Sequence, residues 1–139
     1  MKKLLGIVVL GLLLSGNAYA NVIYVKCVSF EKISYKRNGE VIKESVNDIE
    51  DLFEIDDKKK VISKQIFSSD YFNKLPNVKW SNSNIRWYGN VGEGNYKTSN
   101  NINRITGKYT QDAEMKEIVD PTFKRQIVKY NCETVNKKF

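Results

Sequence analysis

The chain contains no histidine. That removes the usual general base, the commonest metal ligand and every Ser-His-Asp or Cys-His nucleophilic arrangement. Zinc, copper and haem sites are disfavoured for the same reason. Catalysis would have to rest on paired carboxylates, as in glycoside hydrolysis, or on serine with lysine. No spacing among the 16 acidic residues singles out such a pair. The chain is therefore read as a non-enzyme, with no catalytic residue, metal ligand or cofactor assigned.

Two stretches hold residues suited to ions. Asp48, Glu50, Asp51, Glu54, Asp56 and Asp57 crowd together, and hard cations want several carboxylates. The block lacks EF-hand spacing and its central glycine, so solvated turn charges facing Lys58, Lys59 and Lys60 are the favoured reading. Gly89 to Gly94 holds three glycines in six positions. It lacks the Lys-Ser/Thr ending of a phosphate-binding loop and opens no helix, which points to a hairpin connection.

Binding is the more promising chemistry. Trp80, Trp87 and Tyr88 concentrate aromatic surface in mid-chain, with Tyr71, Phe72 and Tyr96 nearby and Arg86 beside them. Side chains alternate across a strand, so if Ile85 and Trp87 point inward, Arg86 and Tyr88 point outward. Trp80, Arg86, Trp87 and Tyr88 are the candidate ligand-binding residues, since aromatics beside an arginine can grip a sugar, a lipid or a partner loop. The competing reading is that these rings fill a small core.

Something must position those residues, and the cysteines constrain it first. Cys27 and Cys132 are the only two, so one intramolecular pairing exists. A bond closing their 105-residue separation would restrict the unfolded chain by about 4 kcal/mol in the chain-entropy model. The spacing does not suit a redox pair, which normally sits as Cys-x-x-Cys.

An oxidising compartment is implied by the N-terminus. Lys2 and Lys3 precede an apolar run from Leu4 to Leu14, and Ala18-Tyr19-Ala20 supplies a small-x-small cleavage site. Residues 1–20 read as a signal peptide and 21–139 as one β-rich domain, placed in the periplasm or secreted. The apolar run is too short to span a bilayer. Cleavage would remove two lysines, taking the balance from 23 basic against 16 acidic residues to 21 against 16. This moderate excess is scattered and has no recognition module, which argues against nucleic acid as a partner. Weak contact with anionic envelope components fits it.

Along the remaining chain, short extended runs alternate with turn signals. Val22 to Tyr35 is rich in Val, Ile, Tyr and Phe, and Asn38-Gly39 supplies a tight hairpin turn leading to Val41 to Val46. Asn47 to Lys60 reads either as a helix or, preferably, as a strand turning into Val61 to Ile66. Ser68, Ser69 or Asp70 is expected to cap one short helix, with Tyr71, Phe72 and Leu75 on a shared face and Pro76 ending it. Extended segments resume over Val78–Trp80, Ile85–Tyr88, Tyr96–Arg104, Lys108–Gln111 and Phe123–Thr134. The expectation is an all-β, antiparallel, up-and-down barrel, with a β-sandwich as the alternative and at most one short helix. In a barrel of this kind the first and last strands are neighbours, which would bring Cys27 beside Cys132.

The run Asn101-Ile102-Asn103-Arg104-Ile105-Thr106-Gly107, the late Cys132 and the terminal Lys-Lys-Phe resemble a group of small, exported, uncharacterised α-proteobacterial proteins. That resemblance implies an envelope location and a β-rich fold, and no activity. At the level of architecture alone, a disulfide-stapled β-barrel is similar to the periplasmic and membrane-bound lysozyme inhibitors. Their Ser-x-x-Gly-x-x-Tyr loop is missing, and a basic chain would be steered away from a basic lysozyme. The leading expectation is a binding protein for a small apolar or sugar-like ligand, the alternative a surface-acting inhibitor or envelope-assembly partner. A pocket binder would keep a cavity lined by Trp87. A surface-acting protein would have a packed interior and a protruding loop such as Gly89 to Gly94.

Overall fold

The computed structural model of the chain describes residues 22–66 and 71–135. The expected leader, 1–20, and the helix caps Ser68, Ser69 and Asp70 lie outside the described residues. Ten strands follow in order: β1 (Val22–Lys36), β2 (Val41–Glu44), β3 (Glu50–Asp56), β4 (Val61–Gln65), β5 (Phe72–Lys74), β6 (Lys79–Trp80), β7 (Asn84–Val91), β8 (Tyr96–Asn103), β9 (Lys108–Met115) and β10 (Phe123–Val135). All pairings are antiparallel. The fold is all-β, and among the described residues no helix is long and apolar enough to cross a membrane.

Local chemistry accounts for most of the turns. Gly39 takes φ +94° between β1 and β2, a conformation open to glycine at no steric cost. Between β3 and β4 the Asp56 carboxylate accepts the Lys59 N–H at 2.9 Å. Asn103 Oδ1 accepts the Ile105 and Thr106 N–H groups at 2.9 and 3.0 Å, and Gly107 at φ +72° sends the chain into β9. The polar side chains satisfy backbone groups that the ladder no longer pairs, and the glycines supply the positive φ the turns require.

The sheet runs β5-β4-β3-β1-β10-β9-β8-β7-β6, with β2 paired to the far half of β1. β3 to β5 and β6 to β10 are two meanders joined by β1, which lies between β10 and β3. The described residues form one sheet, so the sandwich alternative is set aside. It curls as a half-barrel, because β5 and β6 end the hydrogen-bonded path and are joined through residues 75–78 without pairing to each other. Covalent continuity crosses that seam, and the Leu75 N–H donates back to Ile62 at 2.9 Å.

Cys27 and Cys132 sit opposite each other in the β1–β10 register and are bonded, with Cα atoms 4.0 Å apart. Both face the concave side, where Val25, Phe53, Ile55, Ile62, Ile85, Trp87, Ile102, Tyr109, Val128 and Tyr130 form the core.

Two expectations need correction. Tyr71, Phe72 and Leu75 do not share a helical face. Phe72–Lys74 is an edge strand paired to Ser63–Gln65, and the Phe72 ring packs on Tyr24 with centroids 5.9 Å apart. Pairing with an exposed β4 edge outweighs three residues of helical spacing. The second is a regular run from Val22 to Tyr35, with Ile23, Val25, Cys27 and Ser29 on one face and Ile33 and Tyr35 continuing it; the strand is instead interrupted by a bulge between Ser29 and Glu31. A bulge adds one residue and exchanges the faces beyond it. Cys27 and Ser29 are therefore buried before it and Ser34 after it, which leaves Ile33 and Tyr35 in the parity of the outer face.

Candidate functional site

The four candidate residues do not converge. Ile85 and Trp87 face inward, and Arg86 and Tyr88 face outward from the same strand. Trp87 is only 4% exposed. Its ring meets Phe53 edge-on at 5.5 Å and stacks on Tyr109 at 5.7 Å, and Tyr109 stacks in turn on Tyr130 at 4.6 Å. Phe53 also meets Tyr109 edge-on at 5.3 Å. These offset and edge contacts are geometries in which ring quadrupoles attract. Trp80 lies half-buried at the rim of the core, with Lys60 Nζ 5.4 Å and Arg104 Cζ 5.7 Å from its ring. Arg86 reaches Asn101 at 3.4 Å across the outer face, and Tyr88 is exposed.

Polar groups close the ends of the aromatic stack. Asn100, buried on β8 beneath it, accepts the Tyr109 hydroxyl at 3.1 Å and donates to Thr98 Oγ1 at 3.1 Å and to the Trp87 carbonyl at 3.4 Å. Burial pushes the Tyr109 hydroxyl well above its ordinary pKa, with the nearby Asp51 charge adding to the effect. Tyr130 is raised for the same two reasons. A phenol raised in the folded state contributes stability below its unfolded pKa and loses it as pH rises toward the folded value. Stability should therefore decline above about pH 10. Tyrosinate absorbance should report two hydroxyls that ionise only with unfolding, and Tyr109→Phe should flatten that alkaline limb.

The acidic block disperses into separate partnerships. Asp51 pairs with Lys64 at 3.2 Å, Glu50 with Lys26 at 3.4 Å, and Asp57 with Arg104 at 2.8 Å and Lys60 at 3.2 Å. Glu54 accepts the Tyr24 hydroxyl at 3.2 Å. Among the described residues no three carboxylate, cysteine or histidine groups converge to hold a metal.

A different cluster appears on the outer face at one end of β8, β9 and β10. Lys97 lies opposite Glu114, and Glu114 opposite Arg125, in a row across the three strands. Outer-face parity and register create that row. Together with Gly94, Met115, Lys116 and Lys124 these residues line a cleft of about 380 Å³. Its rim is a built structure. Gly92, Glu93 and Gly94 all have positive φ in the β7–β8 turn, and the Lys116 N–H donates to the Asn95 carbonyl at 2.9 Å, tying that turn to the β9–β10 connection. Arg37 reaches over from the β1–β2 turn to the Met115 and Asp120 carbonyls at 2.7 and 3.1 Å. Asp120 accepts the Phe123 and Thr122 N–H groups at 2.9 Å each, and these bonds hold its carboxyl below the usual range.

The cleft's charges are unevenly satisfied. Arg125 holds Asp112 through two bonds, Nε at 2.9 Å and an amino group at 2.5 Å, and the pair raises its pKa. Lys97, Lys116 and Lys124 form no ion pair with any described residue. With Glu114 the lining carries four positive charges against one negative. Sequence reading misses these residues because Lys97 and Lys124 lie far apart along the chain. The available signals are the glycine-rich Gly89 to Gly94 loop, whose Gly94 lines the cleft, and the Thr106-Gly107 turn between β8 and β9.

No family model matches the chain, and comparison with curated proteins and with solved structures returns no similar protein.

Proposed function

We propose that this chain is a non-catalytic, extracytoplasmic binding protein that engages an anionic component of the cell envelope through its outer surface. The observation that carries the reading is the cleft at the ends of β8, β9 and β10, where three lysines without ion-pair partners among the described residues stand beside one carboxylate. The reading for a small apolar or sugar-like ligand would use Trp87 as a pocket wall. That ring is instead enclosed by Phe53 and Tyr109, which favours the surface-acting alternative. The disulfide supports an oxidising location, and the Lys2-Lys3 leader with its Ala18-Tyr19-Ala20 site supports export to the periplasm.

Expression of the full sequence in a Gram-negative host, followed by osmotic shock and intact mass measurement, tests the location. The expected species spans residues 21–139 and is two hydrogens lighter than the reduced chain. Retention in the cytoplasm with free thiols overturns it. Co-sedimentation with isolated envelopes tests the partner. The bound fraction should fall severalfold between about 20 mM and about 300 mM salt, as screening shortens the reach of exposed charges. A bound fraction indifferent to salt contradicts the anionic partner.

A further inference from the structure

We infer that the cleft between Lys97, Lys116, Lys124 and Arg125 is a binding site for a phosphoryl group. The inference rests on the surface-acting reading above and adds the ligand chemistry to it.

Three features favour a phosphoryl group. The first is the type of donor left over. A guanidinium fork meets carboxylates and phosphoryl groups alike, and the Arg125 fork is already engaged by Asp112. What remains is three lysine ammoniums, each a compact charge with rotatable donors. That set suits an anion that accepts bonds in several directions, as a tetrahedral phosphoryl group does.

The second feature is charge. With Arg125 neutralised by Asp112, three lysines and one carboxylate line the cleft, a net charge of about +2. Some lysines are neutralised at short range, as Lys129 and Lys43 are around Glu31 at 3.1 and 3.3 Å, whereas the three cleft lysines converge without a paired carboxylate among the described residues. A net excess of this size is better matched by a doubly charged ligand than by a single carboxylate.

The third is construction. The volume of about 380 Å³ lies toward the small end of ligand sites, enough for a phosphoryl group and part of what carries it. The Lys116–Asn95 backbone bond and the Arg37 bonds hold the two sides of the cleft in place before any ligand arrives. Glu114 stands between Lys97 and Arg125 in the register. Its charge moderates the site, so removing it should strengthen the anion.

The test is an amide NMR titration of the full folded protein with inorganic pyrophosphate at low salt, paired with flotation on phosphatidylcholine vesicles with and without phosphatidylglycerol. Saturable shifts are expected at Lys97, Lys116, Lys124 and Arg125. The double variant Lys97→Gln with Lys124→Gln should weaken binding by about tenfold or more. Glu114→Gln should tighten it severalfold. These positions are on the surface, and unchanged spectra away from the cleft will show that the variants fold.

Pyrophosphate binding without vesicle binding supports the site and identifies a soluble phosphate source. Vesicle binding that needs phosphatidylglycerol and is lost in the double lysine variant supports it with a lipid headgroup as source. The absence of saturable binding by either probe overturns the inference. Vesicle binding equal in wild type and the double variant also overturns it, while leaving the anionic-envelope reading intact.

Discussion

Replacing both Cys27 and Cys132 with alanine is expected to lower the free energy of unfolding by about 4 kcal/mol. The bond joins residues 105 positions apart, so in the chain-entropy model its loss releases nearly the whole described chain to wander in the unfolded state. Topology adds to the effect. β1 and β10 are the two longest strands, and their register runs from Tyr24–Val135 to Lys36–Phe123. This is the pairing that joins the β3–β5 and β6–β10 meanders into one sheet, and it has the longest sequence separation in that sheet. Contacts of high separation carry the largest closure entropy. Urea unfolding of the oxidised protein, of the reduced protein and of the double variant checks the expectation. The midpoints of the latter two should fall together, well below the first. A double variant as stable as the oxidised wild type would show that the β1–β10 ladder holds without its staple.

Which parts of this architecture can be read along the chain depends on the range of the interaction responsible. Asn38-Gly39 and Thr106-Gly107 act on their own neighbours, and both mark hairpins in the structure. Alternation in β7 depends only on side chains two apart, so Ile85 and Trp87 separate from Arg86 and Tyr88 as expected. The placement of Cys27 beside Cys132 follows from pairing chemistry and chain order. Beyond that range the sequence is ambiguous. Nothing local to Phe30 announces a bulge, because the bulge serves the fit of β1 to β10. Tyr71, Phe72 and Leu75 are spaced for a helix, yet the available partner is the β4 edge, and an edge can be recognised only in the assembled sheet.

The cleft belongs to the same category. Lys97, Glu114 and Arg125 form a row because two separate registers align them. Their types are unremarkable in a chain with 23 basic residues. It is the assembled surface that distinguishes them, by bringing Lys97, Lys116 and Lys124 to one cleft with no ion pair among the described residues, whereas Lys26 and Lys64 are paired. Composition shows an excess of positive charge, and the fold determines where it is left unneutralised.

Trp87→Ala is expected to cost about 3 to 5 kcal/mol of stability, the range for truncating a large aromatic residue in a packed core. Removal of the indole takes away one face of the Tyr109 stack and the edge contact to Phe53 together. It leaves a cavity against Phe53 and Tyr109, the latter 1% exposed and bonded to Asn100, so the walls have little freedom to collapse. Arg86→Ala and Tyr88→Ala lie on the opposite face of the same strand, and each should change stability by no more than about 0.5 kcal/mol. Denaturant unfolding of the three variants therefore separates two meanings of one aromatic segment. If the Trp87 substitution is as mild as its neighbours, the ring is not a packing element and an interior ligand site regains its claim. If it is severe and the protein's affinity for envelopes, measured below its unfolding range, is unchanged, then the ring builds the sheet that presents Lys97, Glu114 and Arg125. Its contribution to binding is then to hold β7, β8 and β9 in register behind the cleft.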